Sequence, residues 1–256
     1  MNFTAIAMLI LVGLFVGMLL CLYIGQRLGL QALKEHIDWA RLTAVEAAVF
    51  GLMGLIIAFT FSGAAQRYEL RRQLVIDEAN AIGTSYLRVD LLPTTRQAKL
   101  REKYRSYLEA RLAMYRVLPD LDESAREARL ASRLQQELWA DSVAALAEAP
   151  PQATVVVIPA LNEMIDVTTR RTIATLTHTP KLVMAMLLLL GLVCSLLAGY
   201  TMAGSKTSRV GLHLLAFAIM MSTTIYVIID LDYPRFGLIR VDFADRALTD
   251  LLSTMK

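Results

Sequence analysis

The sequence predicts an all-α integral membrane protein with four transmembrane helices and a long helical extramembrane insert between the second and third. Three observations predict it. The 256 residues are 56% hydrophobic, more apolar than a soluble domain of this size normally is. The apolar residues are gathered into charge-free runs at 1–26, 47–66, 182–205 and 210–229, the last interrupted only by His213. The intervening stretch is polar but repeats its apolar residues at helical spacing. Each run is close to the roughly 20 residues a helix needs to cross the hydrocarbon core.

The first helix is expected over about Phe3 to Ile24. It has no basic leader and an apolar stretch too long for a cleaved signal peptide, so it is read as an anchor that stays. Gly13 and Gly17 form a small-xxx-small pair that would let a second helix approach closely. A short link with Arg27, Lys34, Glu35, Asp38 and Arg41 follows, and Trp39 suits a membrane interface. The second helix is apolar from Ala47, with Gly51, Gly54 and Ala58 at three- and four-residue spacing and Leu55 and Phe59 continuing the row from Gly51. At Arg67 it turns polar without a breaking proline, which predicts one helix running out of the apolar region.

Three stripes make the insert helical: Val75, Ala79, Ile82 and Tyr86; then Leu100, Tyr104, Leu108, Leu112 and Tyr115; then Leu130, Leu134 and Leu138. Pro93, Pro119 and Pro150-Pro151 punctuate them, and only Ala153 to Ile158 is ambiguous with a strand. Thr179-Pro180 predicts the start of the third membrane helix, with Thr179 as N-cap. A short link, 204–209, makes the third and fourth helices antiparallel neighbours, and Leu231-Asp-Tyr-Pro234 ends the fourth. The predicted organisation is 1–66 for the first two membrane helices, 67–181 for an insert continuous with the second, 182–229 for the last two, and 230–256 for a tail.

Chemistry-bearing motifs are sparse. There is no phosphate-binding loop, no Gly-x-Ser-x-Gly and no Cys-x-x-Cys. His36, His178 and His213 are far apart, so no metal site or other cofactor is expected. Cys21 and Cys194 lie inside apolar runs, and a net charge of +3 without a basic cluster gives no reason to expect nucleic acid. Asp77 and Glu78 are adjacent and point in different directions on a helix. Asp230 and Asp232, at the end of the fourth membrane helix, need partners if buried, and Arg67 is the expected partner of Asp230. Sidedness is divided. Arg27, Lys34, Arg41, Lys206 and Arg209 mark the short links as cytoplasmic, whereas raw counting near the membrane ends favours the insert side, with Arg67, Arg71, Arg72, Arg170, Arg171, Lys181, Arg235 and Arg240.

Phe59-x-Phe-Ser-x-Ala-Ala-x-Arg67-Tyr-x-x-Arg-Arg, followed by Asp77-Glu-Ala-Asn80-Ala-Ile-Gly-Thr-x-Tyr-Leu-Arg88, resembles the bacterial bestrophin-like domain family. The tail Tyr233-Pro-Arg-Phe-Gly-Leu-Ile-Arg-Val241 fits the same pattern, and the resemblance covers the whole two-helix, insert, two-helix plan. It implies what is known of bestrophins, which are pentameric anion channels whose second membrane helix lines a narrow apolar neck. Carried onto this sequence, the constriction falls at Gly51, Leu55 and Phe59, and the pore mouth at Ser62, Gln66, Arg67 and Arg71. Glu69 stands where bestrophins have an aromatic residue. The implied partners are the lipid bilayer, further copies of the chain and small anions. The implied location is a bacterial inner membrane, with the insert and both termini cytoplasmic. The alternative is a non-conducting scaffold or sensor whose insert binds a protein partner.

Overall fold

The computed structural model describes residues 3–33, 39–203 and 209–255. Lys34, Glu35, His36, Asp38 and Lys206 lie outside the described residues. The chain forms eight α-helices among these: α1 (Phe3–Ala32), α2 (Trp39–Leu87), α3 (Thr94–Arg116), α4 (Leu121–Leu146), α5 (Pro151–Leu176), α6 (Lys181–Thr201), α7 (Arg209–Asp232) and α8 (Arg246–Thr254), with a 3-10 turn at Arg88–Leu91. Four segments are long and apolar enough to cross a membrane, in α1, α2, α6 and α7. The chain divides into two compact units, one of residues 1–66 and 178–239, the other of 67–177 and 240–256. Helix α2 is continuous and belongs to both.

In unit 1, α1 packs against α6 and α7. Of the pair Gly13 and Gly17, Gly17 does face α6, where a Cβ would meet the Leu192 side chain at 3.2 Å, but the closest approach of α1 and α6 lies elsewhere. A Cβ on Gly13 would meet nothing within 4 Å. The contact is made about three turns further along α1, where a Cβ on Gly25 would fall on the Leu196 carbonyl, one on Gly29 on the Tyr200 carbonyl, and one on Gly199 on the Leu22 carbonyl. Without side chains there, the two backbones can touch, which is how apolar helices gain dispersion energy in lipid. Met18, Met53, Leu187, Cys194 and Ile225 fill the remaining interior, and Phe50 of α2 meets Phe217 of α7 at 5.7 Å between ring centres.

Unit 2 is a helical bundle. The first two predicted stripes are its core: Val75, Ala79, Ile82 and Tyr86 of α2 and Leu100, Tyr104, Leu108 and Leu112 of α3 are all buried. The third needs correction, because Leu138 is buried but Leu130 is 40% exposed and Ala131 takes its place inside. Two steps of four residues rotate a helix by about 80° from a fixed face, whereas seven residues return within about 20°. Helix α4 starts where Asp120 accepts hydrogen bonds from the N–H groups of Asp122 and Glu123, at 3.1 and 3.0 Å, an N-cap reinforced by acids in the first turn. Helix α5 starts with Pro151 at its first position, so Ala153 to Ile158 is helical rather than strand. Leu248 of α8 is buried in the same core, and Leu251 rests against Gly83.

The start of α6 also differs from expectation. Its N-cap is Pro180, with no side-chain cap. Thr179 instead donates its N–H to the Asp232 carboxylate at 2.7 Å.

Candidate functional site

Helix α2 carries the residues that the sequence nominates for a constriction and mouth. Gly51, Leu55, Phe59, Ser62 and Gln66 are separated by four, four, three and four residues, which places them within an arc of about 80° on one helix face. Among the described residues little of the chain covers that face. Nothing lies within 4 Å of where a Cβ would stand on Gly51 or Gly54, Leu55 is 53% exposed and Phe59 70%. Ser62 and Gln66 are exposed and hydrogen-bonded to each other at 3.2 Å. The opposite face is covered: Met53, Thr60 and Ala64 are buried, and the Thr60 hydroxyl donates back to the Ile56 carbonyl at 2.7 Å. Of the four apolar segments, the one in α2 is the least covered by the rest of the chain. The exposed face changes character at Ser62, from glycine and apolar to polar.

In unit 2 the same helical spacing continues through Glu69, Gln73, Asp77, Asn80 and Thr84. All are exposed except the half-buried Asp77. Glu69 pairs with Arg72 at 2.7 Å, and Gln73 donates its amide to Asp77 at 3.0 Å. A cavity of about 430 Å³ beside this face is lined by Asp77, Asn80, Thr84, Arg88, Pro159 and Glu163. Arg88 is directed at the Val156 carbonyl of α5, next to Val155, whose carbonyl loses its helical donor because Pro159 has no N–H.

The structure places Arg71 elsewhere than on this face. Arg71 is 6% exposed and donates to the carbonyls of Ala174, at 3.0 Å, and Thr177, at 2.6 Å. It thus caps the C-terminal end of α5, where unpaired carbonyls and the helix dipole favour a cation. Arg67 is half-buried. Asp230 is buried and accepts from the N–H groups of Leu238, at 2.9 Å, and Ile239, at 2.7 Å. Backbone donors thus serve both oxygens of this carboxylate. A Cβ on Gly237 would overlap that carboxylate, so only glycine fits the turn. His178 stacks on Tyr233 with ring centres 4.4 Å apart. Among the described residues no cluster of three or more His, Cys, Asp or Glu side chains could hold a metal ion.

Sequence reasoning missed the buried ionic centre of unit 2. Glu78 is fully buried and takes Arg111 on one oxygen at 2.6 Å and Arg171 on the other. Arg171 also reaches Asp245 at 3.3 Å and lies 4.0 Å over the Tyr115 ring. Burial alone would raise the Glu78 carboxyl, but the two guanidiniums outweigh it and hold it below its ordinary value. Nearby, burial pushes the Tyr104 phenol up to about 12 despite its 2.6 Å hydrogen bond with Ser85. The signal was present: Glu78 falls within the stripe of Val75, Ala79 and Ile82, and Arg111 within that of Leu108 and Leu112.

The fold and this exposed helix face define a class, an all-α multi-pass membrane protein with a helical extramembrane bundle. A family model for the bestrophin-like domain matches residues 12–244, and the chain belongs to that family. The fold is similar to that of a bacterial bestrophin homologue from Klebsiella pneumoniae. One point-mutant structure of it matches with a TM-score of 0.72 at 12% identity, covering 96% of this chain and 98% of that one. Another structure of the homologue matches with a TM-score of 0.67 at 14% identity, covering 93% and 98%. No curated protein matches the chain.

Proposed function

We propose that this protein is an oligomeric membrane channel that passes small ions passively through a pore lined by α2. The observation that carries the reading is the uncovered face of α2, apolar at Gly51, Leu55 and Phe59 and polar from Ser62 onward. Copies arranged as a ring, a pentamer by the family resemblance, would turn these faces toward one axis. Leu55 and Phe59 would then form an apolar constriction that gates by dewetting, Gly51 would leave it wide on one side, and Ser62, Gln66 and Arg67 would form its mouth. The resemblance favours anions, with the arginines as their local attraction. Arg71 is withdrawn from that role by its bonds to α5, so the reading rests on the neck and not on the sign of the ion. The protein would sit in a bacterial cell membrane with unit 2 and both termini on the cytoplasmic side.

The test is ion flux from liposomes holding the purified protein, wild type beside Phe59→Ala, with oligomeric state measured in mild detergent. Wild-type flux that rises in the variant supports the pore and its neck. A folded oligomer with no flux in either form favours the scaffold, and a monomer or dimer removes the central axis altogether.

A further inference from the structure

We propose that the cleft between α2 and α5 in unit 2 binds a small zwitterion, an ω-amino acid whose ammonium group meets Asp77 and whose carboxylate meets Arg88. The proposal concerns unit 2 alone and stands whether or not α2 lines a pore. The cleft encloses about 430 Å³, room for a small organic molecule. Asp77 and Arg88 both line it. They are eleven residues apart, which returns them to one helix face within about 20° and sets their Cα atoms about 16 Å apart. Helix α5 runs antiparallel beside them, because Arg71 donates to the Ala174 carbonyl, Arg171 to the Glu78 carboxylate and Arg88 to the Val156 carbonyl. Asp77 is therefore one pole of the cleft and Arg88 the other, and the buried Ala81 and Ala160 line the stretch between.

Both poles have bonding capacity left. Asp77 accepts from the Gln73 amide at 3.0 Å, a neutral donor that leaves its charge in place. Arg88 spends one of its five N–H donors on Val156. Asn80 and Thr84 also line the cleft, and no described residue bonds either side chain. The other charges cancel or lie outside. Glu163 at the rim pairs with Arg170 at 2.5 Å, Glu69 pairs with Arg72 at 2.7 Å, and Arg67 and Asp166 do not line the cleft. A cleft of zero net charge, with its poles apart and an apolar middle, selects a ligand built the same way. A bare cation meets repulsion from Arg88, and a bare anion from Asp77. A methylene chain between ammonium and carboxylate covers the alanines and gives each pole a charge-assisted hydrogen bond.

The experiment is calorimetric titration of the full-length protein in mild detergent with δ-aminovalerate, and with pentylamine and valerate as single-pole controls. Wild type is set beside Asp77→Asn and Arg88→Gln, with the thermal midpoint of each recorded as the check on folding. Asn80→Ala is a further variant that leaves every bond seen in the fold in place. The expected result is saturable binding of δ-aminovalerate, weakened about tenfold or more by either pole substitution and by a smaller factor by Asn80→Ala. Each single-pole control should bind about tenfold more weakly than the zwitterion. Three results overturn the proposal: no saturable binding to folded wild type, equal binding of pentylamine or valerate, or binding that none of the three substitutions alters. None of them bears on ion flux, so this proposal and the pore reading fail separately.

Discussion

The two units are held together by opposite means. Unit 1 is assembled from absences: Gly25, Gly29 and Gly199 let α1 and α6 meet backbone to backbone. Its buried hydroxyls bond back into their own helices, Ser195 to the Gly191 carbonyl at 2.9 Å and Thr60 to Ile56 at 2.7 Å. Unit 2 is assembled from bulk and charge, with Tyr104, Tyr107, Leu108, Leu138 and Leu161 fully buried around the Glu78, Arg111 and Arg171 centre. The difference follows from the solvent each unit is built for. Between helices in lipid no hydrophobic force operates, so close contact must supply the attraction. In water, large apolar side chains drive packing, and a buried charge is tolerated only when fully paired.

That contrast is broken most severely at Gly199. Any side chain there meets the Leu22 backbone, which cannot swing aside as a side-chain tip could. Gly199→Leu should therefore yield no monodisperse protein in mild detergent, while Gly13→Ala, with open space around it, should purify like wild type. Equal behaviour of the two would show that glycine contacts do not hold unit 1.

The same contrast is sharpened at Glu78. Glu78→Gln leaves two buried guanidiniums without their carboxylate, a loss of about 3–5 kcal/mol, read as a fall in the thermal midpoint. The pH dependence has a definite sign. The folded carboxyl sits below its unfolded value of 4.5, so its stabilisation is present above that value and is lost as the pH falls through the lower folded one. Wild type should lose stability steeply below about pH 4.5, and Glu78→Gln, already lacking the carboxylate, should show a flatter acid limb.

How far the sequence could be read differs between the units for a related reason. Helix existence, the four apolar segments and the long continuous α2 follow from hydropathy and spacing, which are local. That Gly51, Leu55 and Phe59 share one face of α2 was legible too, because helical spacing alone defines it. What failed needed a second element. Gly13-xxx-Gly17 and Gly25-xxx-Gly29 have the same spacing, and only the position of α6 distinguishes them. Thr179 has the chemistry of an N-cap, but its N–H is taken by Asp232, 53 residues away. Glu78 finds its partners 33 and 93 residues along the chain. The bonds of Arg71 to Ala174 and Thr177 lie more than 100 residues along the chain, beyond the reach of local spacing.

The smallest expected effect on the fold is at Gly51. Its would-be Cβ meets nothing within 4 Å, and alanine favours the helix over glycine by up to about 1 kcal/mol. Gly51→Ala should thus leave the thermal midpoint unchanged or slightly raised. If α2 faces an axis shared by several copies, the same methyl group is added once per copy around the path, and conductance should fall while stability does not. A lipid-facing or surface-facing α2 would accept the methyl with no change in either quantity. The variant separates a wall that is empty because ions pass along it from one that is empty because only acyl chains do. The outcome that would defeat the pore assignment is an unaltered current beside an unaltered fold.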